Sequence, residues 1–325
     1  MKGESNADRA LTWTSTRCLS PAPCRLQLYS PRVLDRDPAA GGGRLGREWP
    51  RLRVRLTELG LDFEEAMTRA PGHATELAGE AAIRRQHRLV VAVGGDGTIC
   101  EVVQGLHAAG GATLEILPVG TGNDTARTLG LPVHLEEAVG ALRAETHRRV
   151  DLMSINGQVV VNAAGVGLLG SINAKAAGIK IVRGIFAYLV AAVASVLSDP
   201  TPEVEVEADD FHYRGPMTIL ALQNGPTTGG GFALAPEACS DDGFLDACLV
   251  GNVPIAGRFS RLAAALRGRL GDQPGSHMLR FKRMGLRCQN PIHAHLDGNH
   301  ALIEPPGMVV EVLPGALDVI APAAS

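Results

Sequence analysis

Two short apolar runs that each lead into a glycine-rich loop constrain the fold of this chain more than any other feature. Residues 88–93 read RLVVAV and continue into Gly94-Gly95-Asp96-Gly97-Thr98. Residues 113–119 read TLEILPV and continue into Gly120-Thr121-Gly122-Asn123-Asp124. A segment with the character of a helix follows each loop. Buried parallel strands are nearly continuous apolar runs, so the order strand, loop, helix, found twice, predicts an α/β sheet.

The position of the two loops predicts a binding site for an anion. In an open α/β sheet, ligands bind beyond the carboxyl ends of the strands, where glycines let backbone amides approach a phosphate closely. One such loop alone could be a tight turn with no ligand, but two of them would converge on one crevice. Asp96 and Asp124 would then lie at its edge. Because a carboxylate repels a phosphate unless a divalent cation lies between them, we expect Mg²⁺ there.

The two glycine loops match none of three common nucleotide-binding signatures. The sequence contains no GxxxxGK[ST] loop and no set of protein-kinase motifs, and neither glycine loop has the GxGxxG dinucleotide fingerprint. The loops therefore indicate another class of nucleotide-binding protein.

Composition excludes some partners and limits others. Aromatic residues make up 4% of the chain and the formal net charge is -3, so we expect no nucleic-acid partner. The longest apolar stretch, residues 185–197, is shorter than the roughly 20 residues that cross a bilayer. We interpret it as a helix of the protein core and predict that any membrane contact is peripheral.

The cysteines lack paired CxxC spacing, which fits a reducing cytoplasm.

The two loops and four later stretches, taken in order, resemble the diacylglycerol kinase catalytic-domain family. That family includes bacterial soluble lipid kinases and sphingosine kinases, and NAD kinases are distant relatives. The resemblance extends over about residues 34–320. The later stretches are Asn224-Gly225, Gly229-Gly230-Gly231, Ala235-Pro236-Glu237-Ala238 and Asp241-Asp242-Gly243-Phe244-Leu245-Asp246.

The resemblance implies an NAD-kinase-like α/β nucleotide-binding domain followed by a β-sandwich-like domain, with the nucleotide in the cleft between them. At 325 residues, the chain has the length of two domains. We place the first at residues 32–150 and the second at 151–305, and expect 306–323 to return to the first. Residues 1–31 show no periodic pattern, and we expect a disordered leader there.

The implied activity is transfer of a phosphoryl group from ATP to the hydroxyl of a membrane lipid, with Mg²⁺ as cofactor. Diacylglycerol, which would give phosphatidic acid, is favoured by its frequency in the family. The enzyme would be cytoplasmic and reach its lipid peripherally. The sequence does not fix the oligomeric state, and a homodimer is one of the open options.

The family's functional residues can be carried over position by position. The resemblance implies that ATP contacts Thr68, Gly94, Gly95, Asp96, Gly97, Thr98, Ile99, Cys100, Gly120, Thr121, Asn123 and Asp124. It implies that Asp96, Asp124 and Asp151 organise a catalytic Mg²⁺ through water. A second, structural Mg²⁺ would take the carboxylate of Asp242 and the carbonyl oxygens of Cys239 and Phe244.

The catalytic base is the main departure from the family pattern. The family's Asp-Gly-Glu reads Asp297-Gly298-Asn299 here. Asn299 cannot accept a proton, although it can orient the lipid hydroxyl, and Asp297 is the remaining candidate base. In a fully extended segment, Asp297 and Asn299 would project to one face about 6.6 Å apart.

Two smaller departures accompany it. Leu169 stands where the family tends to have Asp, and residues 33–36, before Asp37-Pro38, are not a clean apolar strand. Besides an active lipid kinase, two other hypotheses about the function stay open. One is a catalytically weak or inactive lipid- or nucleotide-binding member of the family, and the other is an NAD kinase.

Overall fold

The computed structural model describes residues 25–31, 44–58, 62–83, 89–120, 122–141, 146–179 and 185–320. The first elements are β1 (Arg25–Pro31), α1 (Arg44–Glu58), β2 (Asp62–Thr68), α2 (His73–Ile83), β3 (Leu89–Gly94), α3 (Asp96–Ala108), β4 (Thr113–Pro118), α4 (Asp124–Thr128) and α5 (Leu135–Ala141). The middle elements are β5 (His147–Ile155), β6 (Gln158–Val160), β7 (Ala163–Gly167), α6 (Leu168–Gly178), α7 (Ile185–Ser198), β8 (Glu203–Ala208), β9 (Phe211–Pro216) and β10 (Ile219–Gln223). The last are β11 (Leu245–Val250), α8 (Ile255–Ala265), β12 (Ser276–Phe281), β13 (Arg283–Cys288), β14 (Ile292–Leu296), β15 (Asn299–Ile303) and β16 (Gly307–Ile320).

The predicted α/β sheet is present at the start of a long mixed sheet. Its strand order is β2-β1-β3-β4-β16-β13-β8-β9, and β1 to β4 pair in parallel. Val90 and Ala92 of β3 face a core formed with α2 and α3, whereas Val91 and Val93 face a core formed with α1 and α5. Because helices cover both faces of the sheet, the strand is buried throughout, which explains its continuous apolar run.

The first strand lies earlier in the chain than the sequence indicates. β1 pairs in parallel with β2, from Arg25 opposite Asp62 to Pro31 opposite Thr68, and with β3. The expectation of a disordered leader through residue 31 is therefore wrong for 25–31. This strand reads RLQLYSP, a weak apolar pattern, and its pairing depends on partners far along the chain. Residues 1–24 and 32–43, with the Asp37-Pro38 loop, lie outside the described residues.

The second part of the chain forms the implied β-sandwich. An antiparallel sheet with the order β12-β11-β10-β7-β14-β15 packs against the β8, β13 and β16 part of the mixed sheet. Side chains such as Val206 and Met284 from one sheet share a core with Leu222 and Leu249 from the other. The α/β domain followed by a β-sandwich-like domain is thus confirmed.

Strand β16 joins the two parts of the structure. Its first half pairs with β13, its register shifts between Leu313 and Leu317, and Val319 then lies opposite Leu114 of β4. β5 pairs with both halves of β16 and spans the predicted boundary at residue 150. The chain thus returns from the sandwich to the parallel strands, while the domain limits themselves stay a prediction.

Helix α7 is only partly buried, in contrast to its interpretation as a helix of the protein core. Ala191 and Val196 are buried, but Leu189, Val193 and Leu197 are exposed. Its 14 residues are too few for a membrane span, and among the described residues no helix is long and apolar enough to cross a membrane.

Candidate active site

The two glycine loops are in contact. A Cβ atom on Gly120 would lie 2.6 Å from the Cα of Gly95, a distance that real Cβ atoms do not show, so only glycine allows this approach. The amide of Val119 also donates to the Gly94 carbonyl at 2.9 Å. The loops therefore converge, as the sequence indicates.

Several predicted nucleotide contacts lie at this edge of the sheet. Gly94 of β3 is opposite Pro118 of β4, and Thr68 is the last residue of β2, so Thr68 is at the same carboxyl edge as the loops. The first turn of α3, from Asp96 to Thr98, begins directly after Gly95. Amides in a first helical turn have no partner earlier in the helix, and they attract anions. The arrangement supplies a cradle for phosphate.

Two other predicted nucleotide contacts are placed differently. The side chains of Ile99 and Cys100 are buried in the protein interior and do not line the cleft surface. Burial, together with the nearby charge of Asp297, raises the pKa of the Cys100 thiol. Thr121 lies outside the described residues.

Asp96 and Asp124 meet around Gly122, and we call these three residues the acid cluster. The Asp96 Oδ2 lies 3.1 Å, and the Asp124 Oδ2 3.3 Å, from the point where a Cβ on Gly122 would sit. Asp96 Oδ1 accepts a hydrogen bond from the Thr125 amide at 2.9 Å. The two carboxylates thus have one oxygen each directed toward the same small space.

The surroundings of Asp124 combine burial with mixed charges. The Gly230 amide donates to its Oδ2 at 2.7 Å, and Arg127 Nη1 donates to its Oδ1 at 3.0 Å. Burial raises the pKa of Asp124, the Gly230 amide lowers it, and the charge of Asp96 raises it again. Sequence reasoning missed Arg127, although its position three residues after Asp124 on α4 is the usual spacing of a helical ion pair.

The acid cluster fits a divalent cation. Mg²⁺ prefers oxygen ligands and is usually held by one or two carboxylates plus phosphates. Asp96 and Asp124 supply that donor set beside the phosphate cradle, and one oxygen of each lies within 3.3 Å of the same point next to Gly122. The nearby Asn123 Oδ1 is buried without a hydrogen-bond partner among the described residues.

Asp151 has other partners. Its Oδ1 accepts the Gly315 amide and its Oδ2 accepts the Gly243 amide, each at 2.7 Å. Gly315 lies in the register shift of β16, so Asp151 fastens the strand that joins the two domains to the 239–244 loop. These bonds place Asp151 with that loop, whereas Asp96 and Asp124 meet at Gly122. Its role with the catalytic ion stays a prediction.

The predicted structural metal loop is paired with an arginine from β12. Asp242 Oδ1 accepts the Phe244 amide at 3.0 Å, and its Oδ2 accepts from Arg280 Nη2 at 2.6 Å. The Cys239 thiol donates to Asp241 at 2.9 Å, and the Arg280 guanidinium stacks over the Phe244 ring. Arg280 therefore supplies the positive charge expected of Mg²⁺. As arranged, the loop does not fit the ion unless Arg280 leaves Asp242.

The segment with the candidate base is a hairpin turn. Leu296 pairs with Asn299, and Asp297 and Gly298 between them have φ angles of 46° and 82°. Positive φ at both central residues defines the type I′ turn, for which Asp-Gly is a preferred sequence. The segment is therefore not extended here, because the turn preference of Asp-Gly determines the local backbone.

Asp297 is bound on both carboxylate oxygens. Its Oδ2 accepts the Val161 amide at 2.6 Å, and its Oδ1 accepts the amides of Asn162 and Ala163 at 2.9 Å. Burial raises the pKa of Asp297, and the three amides lower it. A carboxylate engaged in this way fixes the turn to the β6–β7 connection, so the geometry does not favour it as a base.

Asn299, next to the turn, faces the nucleotide loop. Its Oδ1 lies 3.7 Å from the point where a Cβ on Gly97 would sit. Asn173 of α6, which sequence reasoning missed, donates to the Gly298 carbonyl at 2.9 Å. Leu169, the other departure, packs on the apolar cluster beneath α6 and α7. The turn is therefore held from two sides, with Asn299 at the junction of the domains.

Comparison with known proteins agrees with this architecture. The profile of the diacylglycerol kinase catalytic domain matches residues 36–155, and that of the YegS C-terminal NAD kinase β-sandwich-like domain matches residues 162–321. The chain is 34% identical, over 82% of its length and 86% of the relative, to a "Probable lipid kinase YegS-like" of Pseudomonas savastanoi pv. phaseolicola.

Two further proteins broaden the comparison. A "Diacylglycerol kinase" of Bacillus subtilis is 31% identical over 81% of this chain and 88% of its own. A solved structure from Bacillus anthracis strain Sterne, described as a "putative diacylglycerol kinase", superposes with a TM-score of 0.72 at 26% identity. It covers 92% of this chain and 98% of that one. The chain belongs to the diacylglycerol kinase catalytic-domain family, and it is a lipid kinase.

Proposed function

We propose that this kinase transfers the γ-phosphoryl group of ATP to the hydroxyl of diacylglycerol, with Mg²⁺, to give phosphatidic acid. The acid cluster carries the proposal, because two carboxylates that converge beside a phosphate cradle can bind a divalent cation that in turn neutralises a polyphosphate. The Bacillus subtilis relative, named a diacylglycerol kinase, supports the choice of acceptor.

Each part of the site has a role in this reaction. The first turn of α3 binds phosphate oxygens through its amides. Asp96 and Asp124 would hold Mg²⁺, which supplies positive charge for the phosphates and the transition state. Arg127 keeps the Asp124 carboxylate in place from the opposite side.

The acceptor side is the hairpin turn. Asn299 has an amide that can donate to, or accept from, a lipid hydroxyl, and it faces the loop that holds the phosphates. Phosphoryl transfer has a loose transition state, so positioning contributes more than proton removal, for which a base adds roughly 10² to 10⁴. An enzyme with Asn299 can therefore be active, at a lower rate than one with a base at this position.

A second candidate function is favoured by Asn299 itself. If Asn299 orients the lipid hydroxyl but the reaction also needs a base, the protein binds ATP and lipid with little or no turnover. An NAD kinase is the third function that the assay tests, and the lipid-kinase relatives do not favour it.

One experiment separates the three functions. The protein is incubated with labelled ATP, Mg²⁺ and diacylglycerol, ceramide, sphingosine, a polyprenol or NAD, and the products are separated by chromatography. We expect labelled phosphatidic acid. Label in another lipid would change the acceptor, label in NADP would change the function, and ATP binding with no labelled product would indicate an inactive member of the family.

A further inference from the structure

Large exposed apolar side chains are concentrated on two helices. Of the thirteen in the described part of the chain, seven lie on α7, on α8 or at the residue after α8. They are Leu189, Val190, Val193, Leu197, Ile255, Phe259 and Leu266, which we call the α7–α8 face. On α7, the spacing of four residues from Leu189 to Val193 to Leu197 makes one stripe, and Ile255 and Phe259 begin a similar one on α8.

A buried arginine connects the two helices. Arg258 of α8 donates through Nη1 to the carbonyls of Val196 at 3.2 Å and Asp199 at 2.8 Å, at the end of α7. Leu197 is next to Val196 and Phe259 is next to Arg258, so these exposed side chains flank the same junction. Both helices bury their opposite sides in one apolar cluster. The two stripes therefore belong to a rigid pair of helices.

The charge of these segments is opposite to that of the whole chain. The formal net charge of the protein is -3, yet residues 152–198 and 247–271 contain no Asp or Glu. Their basic residues are Lys175, Lys180, Arg183, Arg258, Arg261, Arg267 and Arg269. Lys175 and Arg269 pair with Asp199 and Asp272 at the borders, and Arg267 is exposed. α7 itself is uncharged and Arg258 is buried, so the cations beside the face that have no acidic partner among the described residues are Arg261 and Arg267. An apolar helical face bordered by basic residues is typical of proteins that bind anionic lipid surfaces.

The position of the face relative to the active site fits a lipid substrate. α7 packs against α6, and Asn173 of α6 holds the Gly298 carbonyl in the turn that presents Asn299. One helix thus separates the exposed stripe from the acceptor side of the site. A bilayer on the α7–α8 face would bring lipid hydroxyls to the Asn299 side of the cleft.

We propose that the α7–α8 face is the surface through which this protein binds an anionic lipid bilayer. This proposal rests on the proposed function, because the purpose of the bilayer contact is to deliver the lipid substrate. A second copy of the chain is the competing occupant, and the charge decides against it, because two copies of this face would bring like charges together.

The test measures binding to vesicles. Wild-type protein is sedimented with vesicles of phosphatidylcholine alone or with a third of phosphatidylglycerol. The docking variant carries Leu189→Ser and Leu197→Ser, and a matched control carries Val54→Ser and Ile83→Ser. The exposed fractions are 61% and 57% in the first pair and 57% and 68% in the second.

We expect the wild type to prefer the anionic vesicles, the docking variant to bind at least tenfold more weakly, and the control to stay within twofold. Arg267→Gln should weaken binding to the anionic vesicles about fivefold, the typical effect of one surface cation. Equal binding of the two serine variants would overturn the proposal. So would a wild-type dimer that the docking variant converts to a monomer, with no vesicle binding.

Activity on two forms of substrate separates this proposal from the proposed function. Diacylglycerol with short acyl chains, dispersed in water, needs no bilayer. Turnover of the dispersed lipid by wild type without vesicle binding would overturn the docking face and leave the kinase function intact. Vesicle binding through the face with no lipid phosphorylated would support the face and overturn the function.

Discussion

Asp124 of the acid cluster and Asp297 of the hairpin turn are both buried carboxylates whose pKa burial raises, but their partners differ. Asp297 accepts three backbone amides from residues 161–163. Asp124 accepts hydrogen bonds from the Gly230 amide, from Arg127 Nη1 and, at 3.5 Å, from the Thr227 hydroxyl, and it lies beside the charge of Asp96. The chain itself satisfies Asp297, whereas the acid cluster keeps a surplus of negative charge that a bound cation would offset. Partners, more than burial, therefore distinguish a ligand-binding carboxylate from a structural one.

The largest effect is expected at Asp96. Asp96→Asn removes one of the two charges that face Gly122 with little change in volume, and lipid phosphorylation should fall about 10² to 10³-fold or more. Initial rates at saturating Mg²⁺ measure it. Asp318→Asn, at an exposed ion pair with Arg149, is the matched control and should keep its rate. A rate for Asp96→Asn near that of wild type would remove the acid cluster from the mechanism.

Glu115 extends the comparison to a buried carboxyl whose two oxygens have no partner among the described residues. Burial raises the pKa of Glu115 from 4.5 to about 8. The unfolded chain ionises near pH 4.5, so the folded protein keeps its full stability below that pH and loses stability as the pH rises to 8. At 1.36 kcal/mol per pH unit, the loss is at most about 5 kcal/mol.

Glu115→Gln should therefore be more stable than wild type at pH 9 and closer to it at pH 5, as measured by urea unfolding. Glu304→Gln, at an exposed carboxyl, is the control. Parallel pH profiles for wild type and Glu115→Gln would contradict the effect of burial.

Asp297→Asn tests whether Asp297 positions the turn or acts as a base. The substitution replaces an acceptor oxygen by an NH₂ group that faces backbone donors, and it should lower the free energy of unfolding by about 2 to 4 kcal/mol. Turnover should fall together with stability. Thermal unfolding and rates are measured on the same samples. An unchanged melting temperature with almost no turnover would instead establish Asp297 as the base.

Asn299→Glu should raise turnover about tenfold, because it places a proton acceptor opposite the nucleotide loop. Asp297 is not expected to oppose the new charge strongly, since three amides stabilise its own. Asn299→Gln has the same length without the charge, and it should give no gain. Equal rates for the two variants would show that proton removal does not limit this enzyme.

The smallest effect is expected at Asp242. Because Arg280 already neutralises this carboxylate, Asp242→Ala should cost about 1 kcal/mol or less. Mg²⁺ should then raise the melting temperatures of wild type and variant equally. If Mg²⁺ raised the melting temperature of the wild type only, the ion would displace Arg280 and the 239–244 loop would bind metal.

Local patterns predicted part of this site well. The continuous apolar run before Gly94 and the loop after Pro118 specify strand, loop and helix through neighbouring residues, and the family resemblance followed from the same motifs. The hairpin turn has a local cause too, since Asp-Gly between alternating apolar residues is a strong turn signal. The partners of Asp297 lie more than 130 residues away in the sequence, so its role did not follow from that signal.

The sequence by itself determined the fold class, the family and the glycine loops, because apolar runs and glycines act on the backbone within a few residues. Tertiary structure alone decided the position of the first strand, since β1 depends on partners in β2 and β3. It also decided the roles of the acids and the exposure of α7. Gly230 reaches Asp124, residues 161–163 reach Asp297, and Arg258 reaches Val196 from distant parts of the chain. Desolvation and hydrogen bonding by such partners depend on the folded arrangement, which no local pattern records.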